Sequence, residues 1–295
     1  IDYWGELSLQ DMQQLIQEAS ASPQPLTTLF HFLASHRRSD LYAYVADHVG
    51  RGSWLNLIQP ASKLRALDVG AGLGGVSRGL FDRYQEVYSI EGCRQRCEWI
   101  STSLRAFRDR LMVIHGGVHQ LPFPDASFDL VCCNGVLEWV AFGREGPVTE
   151  LQIQALREFR RVLKPDGILY VGIENRLGLQ YFRGGLDHPG TRFTSLMPRW
   201  LASMVCSRSL GGEIFSMGRA FQSYRTYTYT RPTYLQLFKE AGLLRRTLLQ
   251  QSALYFSLER AGFRVCDFFP VDFGQRAKSA PLSKPLQLTS FLCRS

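Results

Sequence analysis

The segment Asp68-Val69-Gly70-Ala71-Gly72-Leu73-Gly74 carries residue types suited to holding the polar groups of a ligand. Glycine has no Cβ, so a turn built on Gly70, Gly72 and Gly74 lets a ligand come close to the backbone. A short apolar run, Arg65–Val69, feeds the turn and a helical stretch, 76–84, leaves it. The amides at that helix start face whatever the turn holds. Glu91 ends the next apolar run, 17 residues after Gly74. An acid there can accept both hydroxyls of an adenosine ribose. Gly70, Gly72 and Gly75 also satisfy the Gly-x-Gly-x-x-Gly pattern of dinucleotide binding, so the glycines alone leave a nicotinamide enzyme open.

Strands and helices must position these residues, and the pattern supplies them in alternation. Strands are predicted at 65–69, 86–90, 111–115, 128–133 and 168–173, and helices at 76–84, 94–107 and 149–163. Lys164-Pro165-Asp166-Gly167 is a turn by composition. Alternation at this spacing implies a parallel sheet with both faces covered, a doubly wound Rossmann-like α/β fold. Ahead of it, 8–20 reads as an amphipathic helix with Leu9, Met12, Leu15 and Ile16 on one face. Further helices are expected at 26–36, 40–49 and 53–58. Residues 176–230 break the alternation with glycine pairs at 184–185 and 211–212, many Arg and a Tyr/Thr run from Tyr224 to Thr230. Helices at 232–241 and 248–261 follow, then two last strands at 263–269 and 286–293 that could be antiparallel. The expected organisation is a helical cap over 1–61, a nucleotide-binding core over 62–175, a lid or substrate insertion over 176–230, and a C-terminal completion of the core over 231–295.

The 295 residues include 34 basic and 26 acidic ones, a net charge of +8, with 45% hydrophobic and 20% charged residues. That composition excludes a disordered chain. No run approaches the ~18 apolar residues of a membrane span. The first residue is Ile1 and no basic-then-apolar leader follows it, so a processed product, a trimmed chain or a domain cut from something longer is expected. Seven cysteines, an odd number with no Cys-x-x-Cys pair, argue against a disulfide scaffold and for a reducing cytoplasm; Cys132 and Cys133 read as buried thiols. Charge is uneven: residues 1–175 carry a net −3 and 176–295 a net +11, and 29 of the 34 basic residues are Arg. Such a second half could face an acidic substrate, an acidic carrier protein or nucleic acid, or reflect only a GC-rich genome.

Four segments together resemble the class I S-adenosylmethionine-dependent methyltransferases over about residues 62–175. They are Asp68–Gly74 with Glu91, then Leu121-Pro122-Phe123-Pro124-Asp125-Ala126-Ser127-Phe128-Asp129, Val136-Leu137-Glu138-Trp139-Val140, and Glu158 through Gly167. The second and third have no counterpart in nicotinamide enzymes. The resemblance implies a seven-stranded methyltransferase sheet and S-adenosyl-L-methionine as cofactor. It places the methionine end on Asp68, Gly70, Gly72 and Gly74, the ribose on Glu91, the adenine near Gly117, Val118 and His119, and Asn134 under the methionine part. Gly117 and Val118 stand where many members have an acid, so the adenine amino group needs another partner, a backbone carbonyl or His119. Trp139 replaces a usual His, so no role carries over to it.

Transfer of a methyl group to a hydroxyl requires in-line alignment and a base. His188, in Asp187-His188-Pro189-Gly190, is the expected general base and Glu174 its orienting carboxylate. Their alternatives are a turn histidine and a salt bridge to Arg176 or Arg183. Asn134, Glu138, Glu174 and Asn175 are expected beyond the strand ends. His31, His36, His48 and His115 read as helix or strand residues without chemistry. No tight Asp/Glu/His cluster suggests a metal. Tyr224, Tyr227, Tyr229 and Tyr234 either line an acceptor pocket or pack; Phe193 and Trp200 read as core of the insertion. The expected function is O-methylation of a small-molecule or carrier-bound intermediate, as in O-methyltransferase domains of polyketide-type assembly lines, with an acidic carrier protein as partner and no membrane. An RNA methyltransferase and a non-catalytic cofactor-binding module are the alternatives. Against the former, no Asn/Asp-Pro-Pro-Tyr/Phe motif follows the fourth strand, and Arg is dispersed with no aromatic interleaving.

Overall fold

A computed structural model of the chain describes residues 7–37, 48–52, 54–55, 65–174, 176–177, 179–182, 184, 192–198, 201–202, 229–243, 265–266 and 288–294. The chain divides into two compact units, 1–134 with 162–167, and 135–161 with 168–295.

The first unit opens with α1, Leu9–Ala21, started by a reciprocal cap: Ser8 Oγ accepts from the Asp11 amide and Asp11 accepts from the Ser8 amide, both at 3.0 Å. α1 buries Met12, Leu15 and Ala19. Leu9, expected on that face, is 41% exposed, because it lies in the first turn and the stripe passes on to Ala19. α2, Pro25–Ser35, starts with Pro at a position that needs no N–H and buries Leu29, Phe32 and Leu33. A four-residue helix, α3 (His48–Arg51), packs against the helix that follows the first strand. Of the helices expected at 40–49 and 53–58, residues 40–47, 53 and 56–58 lie outside the described residues.

β1 (Arg65–Val69), α4 (Gly75–Leu80), β2 (Glu86–Glu91), α5 (Arg94–Ser103), β3 (Leu111–His115) and β4 (Phe128–Asn134) then alternate as expected. All pairings are parallel in the order β3-β2-β1-β4. β1 lies between two strands and is buried from Ala66 to Val69, as a strand covered on both faces must be. α4 and α5 are shorter than the periodicity suggests. Leu104 leaves helical geometry at φ −104°, ψ 18°, and Arg105–Phe107 tightens into a 3₁₀ turn. Arg105 clamps the end of α1, its guanidinium donating to Ala19 O at 3.1 Å and to Ser22 O.

In the second unit, α6 (Val148–Val162) leads into β5 (Leu163–Glu174), which continues there from residue 168. β5 pairs antiparallel with β7 (Leu288–Arg294), with Leu169 opposite Cys293, and β7 pairs antiparallel with β6 (Val265–Cys266). The antiparallel close was anticipated. The turn expected at Lys164–Gly167 is instead part of β5. Its start is pinned within the first unit by Lys164 Nζ, 2.8 Å from Asp129 Oδ2. A short helix, α7 (Leu179–Phe182), precedes α8 (Arg231–Glu240). α8 packs Tyr234, Leu237 and Phe238 inward. Tyr234 is therefore core rather than pocket lining, its hydroxyl accepting from the Tyr229 amide at 2.9 Å. Phe193, expected in a core, is 44% exposed with φ 66°. Tyr224, Tyr227, Trp200 and most of the expected insertion and helix 248–261 lie outside the described residues. No helix among those described is long and apolar enough to cross a membrane.

Candidate active site

The expected cofactor residues come together within the first unit at the carboxyl edge of its strands. Val69 of β1 is level with Ile90 of β2 and Cys133 of β4, and Glu91 is level with His115 of β3. Gly70, Glu91 and Asn134 thus stand at neighbouring strand ends. The turn that leaves β1 needs its glycines: Gly70, Gly72 and Gly74 have φ of 67°, 59° and 79°, a region L-residues with a Cβ rarely occupy. Ile90 O accepts from the Gly70 amide at 2.8 Å and from the Ala71 amide at 3.2 Å, and Ala71 O accepts from Gly74 N at 2.8 Å. A Cβ placed on Gly72 would meet nothing within 4 Å, so this glycine borders open space. Gly74 differs: a Cβ there would lie 3.3 Å from Ile100 Cγ1 and 3.5 Å from Leu104 Cδ1, so its role is to let α5 pack against the turn.

Glu91 is buried, and its carboxylate joins the two chain segments of the site. Oε2 accepts from Gly72 N at 2.8 Å and Oε1 from Cys93 N at 3.0 Å. Gly116 N donates to Glu91 O at 3.0 Å, tying the loop after β3 to the end of β2. In that loop Gly117 is exposed while Val118 and His119 are half-buried. Asn134 is buried, and among the described residues its Oδ1 has no hydrogen-bond partner, an uncommon state for a buried acceptor.

Asp68 works inside the protein. Its Oδ2 accepts from Ser77 Oγ at 2.6 Å and its Oδ1 from Cys132 Sγ at 3.4 Å, while Ser77 Oγ lies 2.9 Å from Ser89 Oγ. The carboxylate thereby ties β1 to α4 on the far side of the glycine turn. Burial pushes the Asp68 carboxyl above the usual range, opposed by the Ser77 and Cys132 hydrogen bonds and the charge of Arg51. Burial pushes the Cys97 thiol up to about 11, and the charge of Glu91 adds to it. Cys93, Cys97, Cys132 and Cys133 are all buried.

Residues 67–171 match a family model described as a methyltransferase domain. This stretch is a methyltransferase domain, and its cofactor is S-adenosylmethionine. Among curated relatives, malonyl-[acyl-carrier protein] O-methyltransferase of Halorhodospira halophila is 35% identical over 135 residues, 43% of this chain and 40% of that protein. A ubiquinone/menaquinone biosynthesis C-methyltransferase of Laribacter hongkongensis is 34% identical over 119 residues, 37% of this chain and 42% of that one. The chain spans less than half the length of either relative. A chain of the complex between the Haloferax volcanii Trm112 methyltransferase activator and a methyltransferase superposes with a TM-score of 0.52 at 15% identity, covering 90% of this chain and 96% of that one, which shows a shared fold.

The methyltransferase domain fits its cofactor on three observations: open space at Gly72, a carboxylate at the end of β2, and an unpartnered buried amide oxygen on Asn134. Glu174 ends β5 in the second unit, and His188 and Asn175 lie outside the described residues. Among the described residues no three His, Cys, Asp or Glu side chains stand together as metal ligands. Sequence reasoning missed Ser77, Ser89, Cys93, Trp99 and Cys132, which support the site through hydrogen bonds. Two of them left a trace: Ser89, as a polar residue inside the apolar run of β2, and Cys132, which reads as a buried thiol but not as a partner of Asp68.

Proposed function

We propose that the chain is an O-methyltransferase that uses S-adenosylmethionine to methylate a small-molecule or carrier-bound biosynthetic intermediate. The observation that carries the cofactor half is Glu91, bonded to the amide of a Gly72 that borders open space. Glu91 would hold the ribose hydroxyls, and the Gly70–Gly74 turn and Asn134 the methionine part. The bound cofactor supplies an electrophilic methyl group. The protein's remaining tasks are to orient an oxygen acceptor and, for a hydroxyl, to remove its proton. His188 is the base proposed for that proton and Glu174 the carboxylate that fixes its tautomer.

The acceptor half is supported by the relatedness to a malonyl-[acyl-carrier protein] O-methyltransferase and by the net +11 of residues 176–295, which suits an acidic carrier. A carboxylate acceptor, deprotonated near pH 4, needs no base. His188→Ala should therefore lower turnover by ~10²-fold on a hydroxyl acceptor and leave cofactor affinity near wild type. Wild-type turnover in that variant removes His188 from the reaction. The similarity to a C-methyltransferase supports a second reading, transfer to carbon. Labelled methyl groups decide between them, because the carbon-13 shift of the product separates oxygen-bound from carbon-bound methyl. Product on carbon, or on RNA, overturns the O-methyltransferase reading.

A further inference from the structure

We propose that Trp99 is a positioning residue for cofactor binding, its indole N–H locking the glycine turn through the Leu73 carbonyl. The inference rests on the reading that this turn holds the cofactor. Trp99 is completely buried on α5, and its Nε1 donates to Leu73 O at 3.1 Å. A Phe or Leu would fill the same core without an N–H that must find an acceptor. Here the acceptor is a carbonyl of the turn itself, between Gly72 and Gly74. Three glycines at positive φ make that turn permissive, with many conformations open to it. Among the described residues, side chains reach the turn's backbone through two bonds: Glu91 to the Gly72 amide and Trp99 to the Leu73 carbonyl.

These two anchors differ in kind. Glu91 is the acid assigned to the ribose, so its bond to Gly72 is shared with the ligand. The Trp99 bond faces the core and stays with the protein. One residue on, Ile100 Cγ1 lies 3.3 Å from where a Cβ on Gly74 would sit, so α5 covers the turn while Trp99 grips it. At the start of the same helix, the Cys93 amide holds the other oxygen of Glu91. One helix thus sets both the turn and the acid, which pre-organises the cradle before the cofactor arrives.

Trp99→Phe keeps an aromatic six-membered ring and deletes the N–H together with the rest of the indole, leaving the partly buried Leu73 O without its donor. Calorimetry with S-adenosylmethionine and with S-adenosylhomocysteine should show Kd raised by about tenfold. The cofactor KM should rise in step, while kcat at saturating cofactor and the acceptor KM stay at wild-type values. A packing role alone lowers Tm without that split. A folded Trp99→Phe protein that binds within twofold of wild type overturns the proposal, as does a fall in kcat at unchanged cofactor KM. Should Trp99→Phe not fold, benzothienylalanine placed at position 99 exchanges only N–H for sulfur and is judged by the same measurements. Failure of the wild type to bind either probe is a separate outcome that removes the cofactor reading itself.

Discussion

Gly72 concentrates the site's demands in one residue. It sits at φ 59°, its amide donates to Glu91, and the space beside it is open. Gly72→Val imposes about 1–2 kcal/mol of backbone strain and fills that space with a branched side chain. Cofactor affinity should fall by at least about tenfold in calorimetry; unchanged affinity would place the ligand elsewhere. Such residues are legible in sequence because their types report backbone geometry and charge: glycines in a turn, an acid at a strand end. Asp68 was legible as a member of the motif but not in its use. Its partners Ser77 and Cys132, and Ser89 beyond Ser77, come from three different elements, and nothing in their spacing announces that they meet. Trp99 escaped for the same reason: nothing in its place within 94–107 announces that its N–H meets Leu73 O.

Helix α5 shows how an element can serve a site it does not enter. Gly74→Ala places a methyl group 3.3 Å from Ile100 at φ 79°, so the expected loss is about 1–2 kcal/mol of stability. Thermal unfolding should drop by about 2–8 °C, with cofactor affinity within about twofold of wild type when measured well below Tm. A large affinity loss at unchanged Tm would instead put Gly74 among the ligand contacts. The first four strands were legible to within a residue, because buried parallel strands are short apolar runs between turn signals. Helix ends were not. The periodicity of 94–107 continues through a Leu104 whose backbone leaves the helix, and Lys164–Gly167 has turn composition yet is extended, held at its start by Asp129. Local chemistry pointed to one conformation where the folded chain, with Lys164 paired to Asp129, takes another.

Across the whole chain, charge is the feature with a functional reach. The net +11 of residues 176–295 against −3 for the rest predicts that an acidic carrier-bound substrate is drawn in electrostatically. Raising ionic strength from about 0.05 M to about 0.5 M shortens the screening length to a few ångströms. The KM for a carrier-bound acceptor should then rise by about tenfold, with the cofactor KM flat. A carrier KM indifferent to salt would argue for an uncharged small-molecule acceptor. The composition made this asymmetry plain, whereas the acceptor pocket was not legible, since no local motif encodes it. The first unit is also discontinuous, taking in residues 162–167 after the chain has departed at Asn134. Ser127 N donates to Val162 O at 2.8 Å and Asp129 holds Lys164. Anyone grafting this cofactor half onto a related enzyme must therefore splice at two junctions, because a single cut after Asn134 strips β4 of the segment that secures its first residues.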